Sequence, residues 1–292
     1  MSRRFKIMTV LGCLAAALLV RAAMSVAGEF VVTRDVPYVA REGHNILADI
    51  YVPRGPGPFP GVLVVHGGGW RSGNKSRLAR FAEKLSADGY TAVAINYRLA
   101  PEHLFPAQIE DCKSAVRFMH KNAAKYKIDA AHLGALGYSA GGHLVALLGV
   151  TDPSNGLEGP DADGTSTRLQ CFVAGGAPCD FRHAPPATDL SFWLGGTRAE
   201  KPEVYELASP FNFVTKDDPP AFFFHGEADT LVPISGARRM VSKLTEVGVT
   251  AELFAIPAVG HGLAAFSPAA SDKAVKFFDE HLKNSVKQAA VK

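Results

Sequence analysis

Four cysteines and two tryptophans are few for a chain of 292 residues. So sparse a cysteine count excludes a small disulfide-stapled scaffold. No Cys/His pair has the spacing of a zinc site. No uninterrupted apolar run reaches the roughly 18–20 residues that cross a bilayer as a helix. Repeats, long linkers and low-complexity blocks are also missing, which excludes solenoid and fibrous architectures. Excess charge of one sign is absent as well. The net charge is +3, and Arg3, Arg4, Lys6 and Arg21 lie in a first segment of 27 residues that holds no acid. Without those four charges the remainder carries −1. Such a body gives no electrostatic reason to bind nucleic acid or an anionic membrane.

What is present is the composition of a packed globular protein: 47% apolar and 20% charged residues, enough to bury a full core. The N-terminus reads as a secretory signal. Arg3, Arg4 and Lys6 precede an apolar run from Ile7 to Val20 that Arg21 interrupts, and Ser25-Val26-Ala27 supplies small residues for a peptidase. Residues 1–27 are therefore expected to be a signal peptide cut before Gly28, with 28–292 a single exported domain, periplasmic or secreted. No stable membrane insertion is expected after cleavage; an uncleaved anchor is the alternative. Val10-Leu11-Gly12-Cys13 only weakly resembles a lipoprotein box. Cleavage leaves Cys112, Cys171 and Cys179, and the sequence leaves open whether Cys171 and Cys179 form a bridge or stay as buried thiols.

Strand and helix patterns alternate along the body. Val62–Val65, Thr91–Ile95, His132–Tyr138, Phe172–Ala174, Ala221–Phe224 and Ala251–Ile256 read as strands. Leu78–Ala87, Ile109–Asn122, Leu144–Leu148, Ala237–Val247 and Ser271–Lys283 read as helices. That alternation predicts an α/β fold with a mostly parallel central sheet flanked by helices. Ligands of such sheets sit beyond the carboxyl ends of the strands, where each chemically interesting residue of this chain falls.

Gly137-Tyr138-Ser139-Ala140-Gly141 fits G-x-S-x-G at a strand-to-helix junction. Its glycines permit a hard turn that presents the serine, and the following helix aims free amides and its positive end at the same point. A serine hydroxyl needs a base. His261, in Val259-Gly260-His261-Gly262, is the best candidate; His225 is a rival that ends an apolar strand and is expected to pack there. The acid that orients the base is assigned to Asp229, with Glu227 as its nearest competitor. Asp217 and Asp218 precede that strand, at the wrong end of the sheet. His66-Gly67-Gly68-Gly69-Trp70 supplies backbone donors with no side chain in the way, as developing oxyanion charge requires. Gly68 and Gly69, with the amide of Ala140, are the expected oxyanion hole, and the Trp70 amide is a substitute for one of them. Trp70, Tyr138 and Trp193 are the aromatics expected to face substrate. A phosphate-binding glycine loop is disfavoured, since neither G-x-G-x-x-G nor a Walker lysine is present.

Taken with Tyr97-Arg98-Leu99-Ala100-Pro101-Glu102, His225-Gly226-Glu227-Ala228-Asp229 and Gly260-His261-Gly262, these motifs resemble the esterase/lipase branch of the α/β-hydrolases. Two sub-branches fit: hormone-sensitive-lipase-like esterases and bacterial carboxylesterases that include acetylxylan and feruloyl esterases. The resemblance spans roughly residues 36–282. It implies a Ser139–Asp229–His261 triad, no cofactor and no metal, and a small-molecule or polysaccharide-linked ester as substrate. Little sequence precedes the first strand to build a lipase-type cap, so a small or absent cap is expected, with Asp152–Pro210 the one candidate for a partial lid. Tyr97–Glu102 is expected to brace the oxyanion strand. An exopeptidase or amidase on the same fold, and a catalytically silent binding module, are the competing readings.

Overall fold

The computed structural model describes residues 30–182 and 190–283. The expected signal segment lies outside them. Among the described residues there are eight strands, β1 (Phe30–Arg41), β2 (His44–Pro53), β3 (Phe59–Val65), β4 (Thr91–Ile95), β5 (Ile128–Tyr138), β6 (Cys171–Gly175), β7 (Ala221–Gly226) and β8 (Ala251–Ile256). They form one sheet in the order β1-β2-β4-β3-β5-β6-β7-β8. The pairs β1·β2 and β2·β4 are antiparallel and every later pair is parallel.

The sequence reading begins the sheet at Val62, whereas the structure adds the β1–β2 hairpin before it. The reason lies in the pairing. Register shifts between Thr33 and Val36 and between Pro37 and Val39 break the two-residue alternation that marks a half-buried strand. The start of β5 was equally hidden, because the β3–β5 register shifts at Pro60–Gly61.

The helices are α1 (Ala79–Ala87), α2 (Ala107–Lys121), α3 (Ala140–Val150), α4 (Ser191–Leu194), α5 (Pro202–Leu207), α6 (Ser235–Glu246), α7 (His261–Ala264) and α8 (Pro268–Phe278). Alternation along the central strands sends side chains to two separate cores. Leu63 and Val65 of β3 join Val116 of α2, Leu144 of α3 and Met240 of α6 on one face. Val62 and Val64 join Phe81 of α1 and Phe277 of α8 on the other. Helices therefore cover both faces, and their burial removes from water the apolar strips that the sequence periodicity marks. Helix α3 is buried at ten of its eleven positions, so its apolar character is continuous rather than striped.

Cys171 and Cys179 fall in different cores, and all three described cysteines are free and buried. The bridge left open by the sequence is not formed. Burial raises the Cys171 thiol pKa and pushes that of Cys179 up to about 12, which leaves both as packing groups. Among the described residues no helix is long and apolar enough to cross a membrane, and no cluster of His, Cys, Asp and Glu is arranged to hold a metal.

Candidate active site

Strand β5 passes into α3 through Ser139, whose φ of 57° and ψ of −122° lie outside the ordinary regions for a residue with a side chain. Such a conformation costs on the order of 1–3 kcal/mol and is held only by its surroundings. Here the Ser139 amide donates to Gly175 O at 2.8 Å, and its carbonyl accepts from the His143 amide at 2.9 Å. A Cβ on Gly141 would stand 2.0 Å from Val65 O, so glycine is required where α3 starts against β3. The turn leaves the Ser139 hydroxyl on the wall of a cavity of about 680 Å³.

His261 opens α7, just past β8. Its Nε2 lies 2.8 Å from Ser139 Oγ and its Nδ1 lies 2.6 Å from Asp229 Oδ2. The Tyr138 hydroxyl donates to the His261 carbonyl and fixes the backbone behind the ring. Asp229 follows β7, and its side chain is fully buried. Its Oδ1 accepts the amides of Leu231 at 3.0 Å and Val232 at 2.8 Å. The carboxylate is thus pinned by its own turn, with Oδ2 left to face the imidazole. With a proton on Nδ1 held by the acid, Nε2 carries the lone pair and points at the serine, as a general base must.

His225 is buried at the end of β7, as expected, but it does more than pack. Its Nε2 lies 2.7 Å from Val232 O and 3.2 Å from Asp229 Oδ2. A carbonyl only accepts, so Nε2 carries the proton, and this N–H braces the same oxygen that holds His261. The bare Nδ1 is buried without a hydrogen-bond partner, and burial lowers the pKa. Glu227, the competing acid, is exposed and lies 3.7 Å from Arg238.

The glycine loop leaves β3 beside the serine. Gly68, Gly69 and Trp70 all have positive φ, at 135°, 61° and 59°. At Gly68 a Cβ would stand 1.9 Å from Ser72 O, so this position is closed to any side chain. The Gly68 carbonyl turns away and accepts from the Arg71 and Ser72 amides at 3.3 and 3.1 Å. Ala140 is the first residue of α3, where a helix leaves its amides without partners one turn earlier. Gly67 through Trp70 line the cavity together with Ser139 and His261. Behind the loop, His66 stacks on Tyr97 with ring centroids 4.3 Å apart. The Tyr97 hydroxyl donates to His66 O at 3.0 Å, and the Ala100 amide to Trp70 O at 2.9 Å. The 97–102 segment braces this loop in the way its position implied. Burial pushes the His66 pKa down to about 4, so this ring is neutral at ordinary pH.

Of the three aromatics expected to face substrate, Trp70 and Tyr138 line the cavity. Trp193 does not. It is fully buried, stacks on Trp70 at 3.8 Å and donates from Nε1 to Gln108 Oε1 at 3.0 Å. That assignment is corrected: Trp193 supports Trp70 from behind, because an aromatic face this large is better covered by another ring than by water. Its neighbours Leu190 and Phe192 line the cavity instead, so part of the Asp152–Pro210 stretch does reach the site. Sequence reasoning also passed over His143. This ring accepts from Trp70 Nε1 at 3.2 Å and donates to Ala208 O at 2.7 Å, and burial pushes its pKa down to about 4. It sits one turn after Ser139 on α3, a spacing that could have flagged it. Arg71, Arg77, Leu231 and Phe266 on the lining carry no motif and gave no signal.

A family profile described as BD-FAE matches residues 48–244. Esterase LipC of Mycobacterium tuberculosis is 32% identical over 215 residues, which cover 70% of this chain and 53% of LipC. The chain spans about half the length of the curated relatives it matches. Among solved structures, a truncated carbohydrate esterase from gut microbiota superposes with a TM-score of 0.80 at 29% identity, covering 89% of this chain and 98% of that one. A thermophilic esterase from the Planctomycetes species Thermogutta terrifontis superposes with a TM-score of 0.72 at 25% identity, covering 87% and 91% respectively.

Proposed function

We propose, from the premise that this chain belongs to the BD-FAE family of the α/β-hydrolase fold, that it is a serine carboxylesterase working through an acyl-enzyme. The observation that carries this reading is the unbroken Ser139–His261–Asp229 relay, 2.8 and 2.6 Å, beside a loop of backbone donors. His261 takes the Ser139 proton as Oγ attacks the ester carbonyl. The oxyanion forms against the amides of Gly68, Gly69 and Ala140, and the buried Asp229 carboxylate stabilises the imidazolium. His261 then gives its proton to the departing alkoxide, and water repeats the sequence in reverse to release the acid.

The carbohydrate-esterase neighbour and the signal-like residues 1–27 support a finer reading. The enzyme acts outside the cytoplasm on acetyl or feruloyl esters borne by polysaccharide. The first test is covalent. A fluorophosphonate probe labels the wild type and not Ser139→Ala, and that variant loses about 10⁶-fold in turnover of a short aryl acetate. Full activity in Ser139→Ala overturns the reading. Faster turnover of a proline-containing amide than of an acetyl ester moves it to an amidase.

A further inference from the structure

The cavity over Ser139 carries a charge pattern that plain ester hydrolysis does not use. Two guanidiniums, Arg71 and Arg77, line it, and among the described residues no carboxylate does. Neither arginine has an ion-pair partner among those residues. Lys75, between them in sequence, behaves in the opposite way: its ammonium is 2.8 Å from Asp35 Oδ1 and 2.9 Å from Asp49 Oδ1. Among the described residues the fold therefore neutralises one cation of this segment and provides no ion-pair partner for the two at the cavity.

Both are placed by the site. The Arg71 guanidinium lies over the Phe192 ring, 5.0 Å from its centroid. Arg77 Nη1 lies 3.1 Å from the point a Cβ on Gly68 would occupy, so its charge stands beside the oxyanion loop. Elsewhere on the lining, Leu231 and Phe266 are 72% and 65% exposed, an apolar surface that a substrate body can cover. Guanidinium groups match carboxylates in a two-pronged geometry, and a cleft of one charge sign with apolar walls concentrates ligands of the other.

Resting on the ester reading above, we propose that Arg71 and Arg77 form an anion-recognising subsite. The ester this enzyme prefers carries a carboxylate within a few bonds of its scissile carbonyl, on an aryl or alkyl body that covers Leu231 and Phe266.

The test compares kcat/KM for two matched pairs on the full chain, each rate divided by the ester's own alkaline hydrolysis rate. In one pair the carboxylate is on the alcohol: 4-acetoxybenzoate against its methyl ester. In the other it is on the acyl group: phenyl hydrogen succinate against phenyl butyrate. The expected result is an anionic-to-neutral ratio on the order of ten or more in one pair. The pair that shows it tells which side of the ester faces the arginines. That ratio collapses in Arg71→Gln and Arg77→Gln, inverts in Arg77→Glu, and falls as salt rises from about 20 to about 500 mM. A normalised ratio of one or below in both pairs overturns the proposal. So does a ratio that the arginine substitutions leave unchanged, and in either case neutral-ester turnover leaves the ester reading standing. Loss of all four esters together with loss of fluorophosphonate labelling is the distinct outcome that removes the ester reading itself.

Discussion

The two walls that meet at Ser139 are built on opposite principles. On the β7–β8 side every hydrogen-bonding oxygen of Asp229 is taken: two amides hold Oδ1, and His261 and His225 hold Oδ2. On the β3 side the loop directs its carbonyl away and presents amides to the cavity, beside two guanidiniums that have no ion-pair partner among the described residues. The first wall is a closed circuit whose single outlet is the lone pair on His261 Nε2. The second is a set of donors directed at the cavity. The difference separates two tasks. A base must be held in one tautomer before substrate arrives, so its partners are fixed in the resting protein. An oxyanion exists only during reaction, so its partners must be left unsatisfied until then.

The strongest way to break this contrast is to open the circuit. In Asp229→Asn the shape is kept, but an amide facing Nδ1 imposes the wrong imidazole tautomer. We expect kcat on an aryl acetate to fall about 10⁴-fold with the fold intact by circular dichroism. That cost is smaller than the loss expected for Ser139→Ala because the acid only supports the base. A loss below tenfold would mean that the closed wall serves stability rather than chemistry.

On the opposite wall, Gly68→Ala forces a methyl against Ser72 O, so the loop has to move and its amides lose their aim. A fall of about 10²–10³-fold in kcat is expected, while Ser139 still reacts to completion with a fluorophosphonate, only more slowly. Unchanged kcat would exclude this loop as the oxyanion site.

The smallest effect concerns stability. His66 is buried and neutral behind the glycine loop, with its pKa at about 4. The unfolded chain takes up a proton on this ring near the ordinary value of about 6.5, while the folded chain refuses it down to about 4. Its contribution is therefore complete above about 6.5 and is lost as the pH falls through that window towards 4. From pH 7 to pH 5 we expect His66 alone to remove about 2 kcal/mol of unfolding free energy. Urea titrations should show a shallower pH slope in His66→Gln. An identical slope would mean that the ring charges without cost and that the loop is less rigidly backed than its stacking on Tyr97 indicates.

Much of this was legible beforehand, for physical reasons that differ by element. Strands β3, β4 and β7 are buried on both faces, so they appear as short continuous apolar runs, and β3 and β7 run into glycine at their carboxyl ends. The elbow at Ser139 was readable because glycine must flank it: a Cβ on Gly137 would stand 2.2 Å from Gly141 O, and one on Gly141 would stand 2.0 Å from Val65 O. The hairpin was not readable, because its bulges scramble the alternation and its first strand is largely exposed. Trp193 was misjudged because an aromatic next to a lid-like segment looks the same in sequence whether its ring turns outward or inward. Here the stack on Trp70 settles the matter.

By itself the sequence determined the alternating α/β order, the serine elbow, the glycine loop and the chain order of serine, acid and histidine. All of these depend on local residue type, whose conformational limits hold wherever the segment lies. Only the tertiary structure decided which of the three strand-end histidines came to face Ser139. His66 and His225 are neutral and buried with their hydrogen bonds turned to backbone or to Asp229, whereas His261 alone of the three reaches Ser139. The tertiary structure also decided which cations have counter-charges among the described residues. Lys75, Arg71 and Arg77 are alike in sequence, but Asp35 and Asp49, contributed by β1 and β2, reach Lys75 and neither arginine. Pairing is a property of distance through space, and no local pattern encodes it.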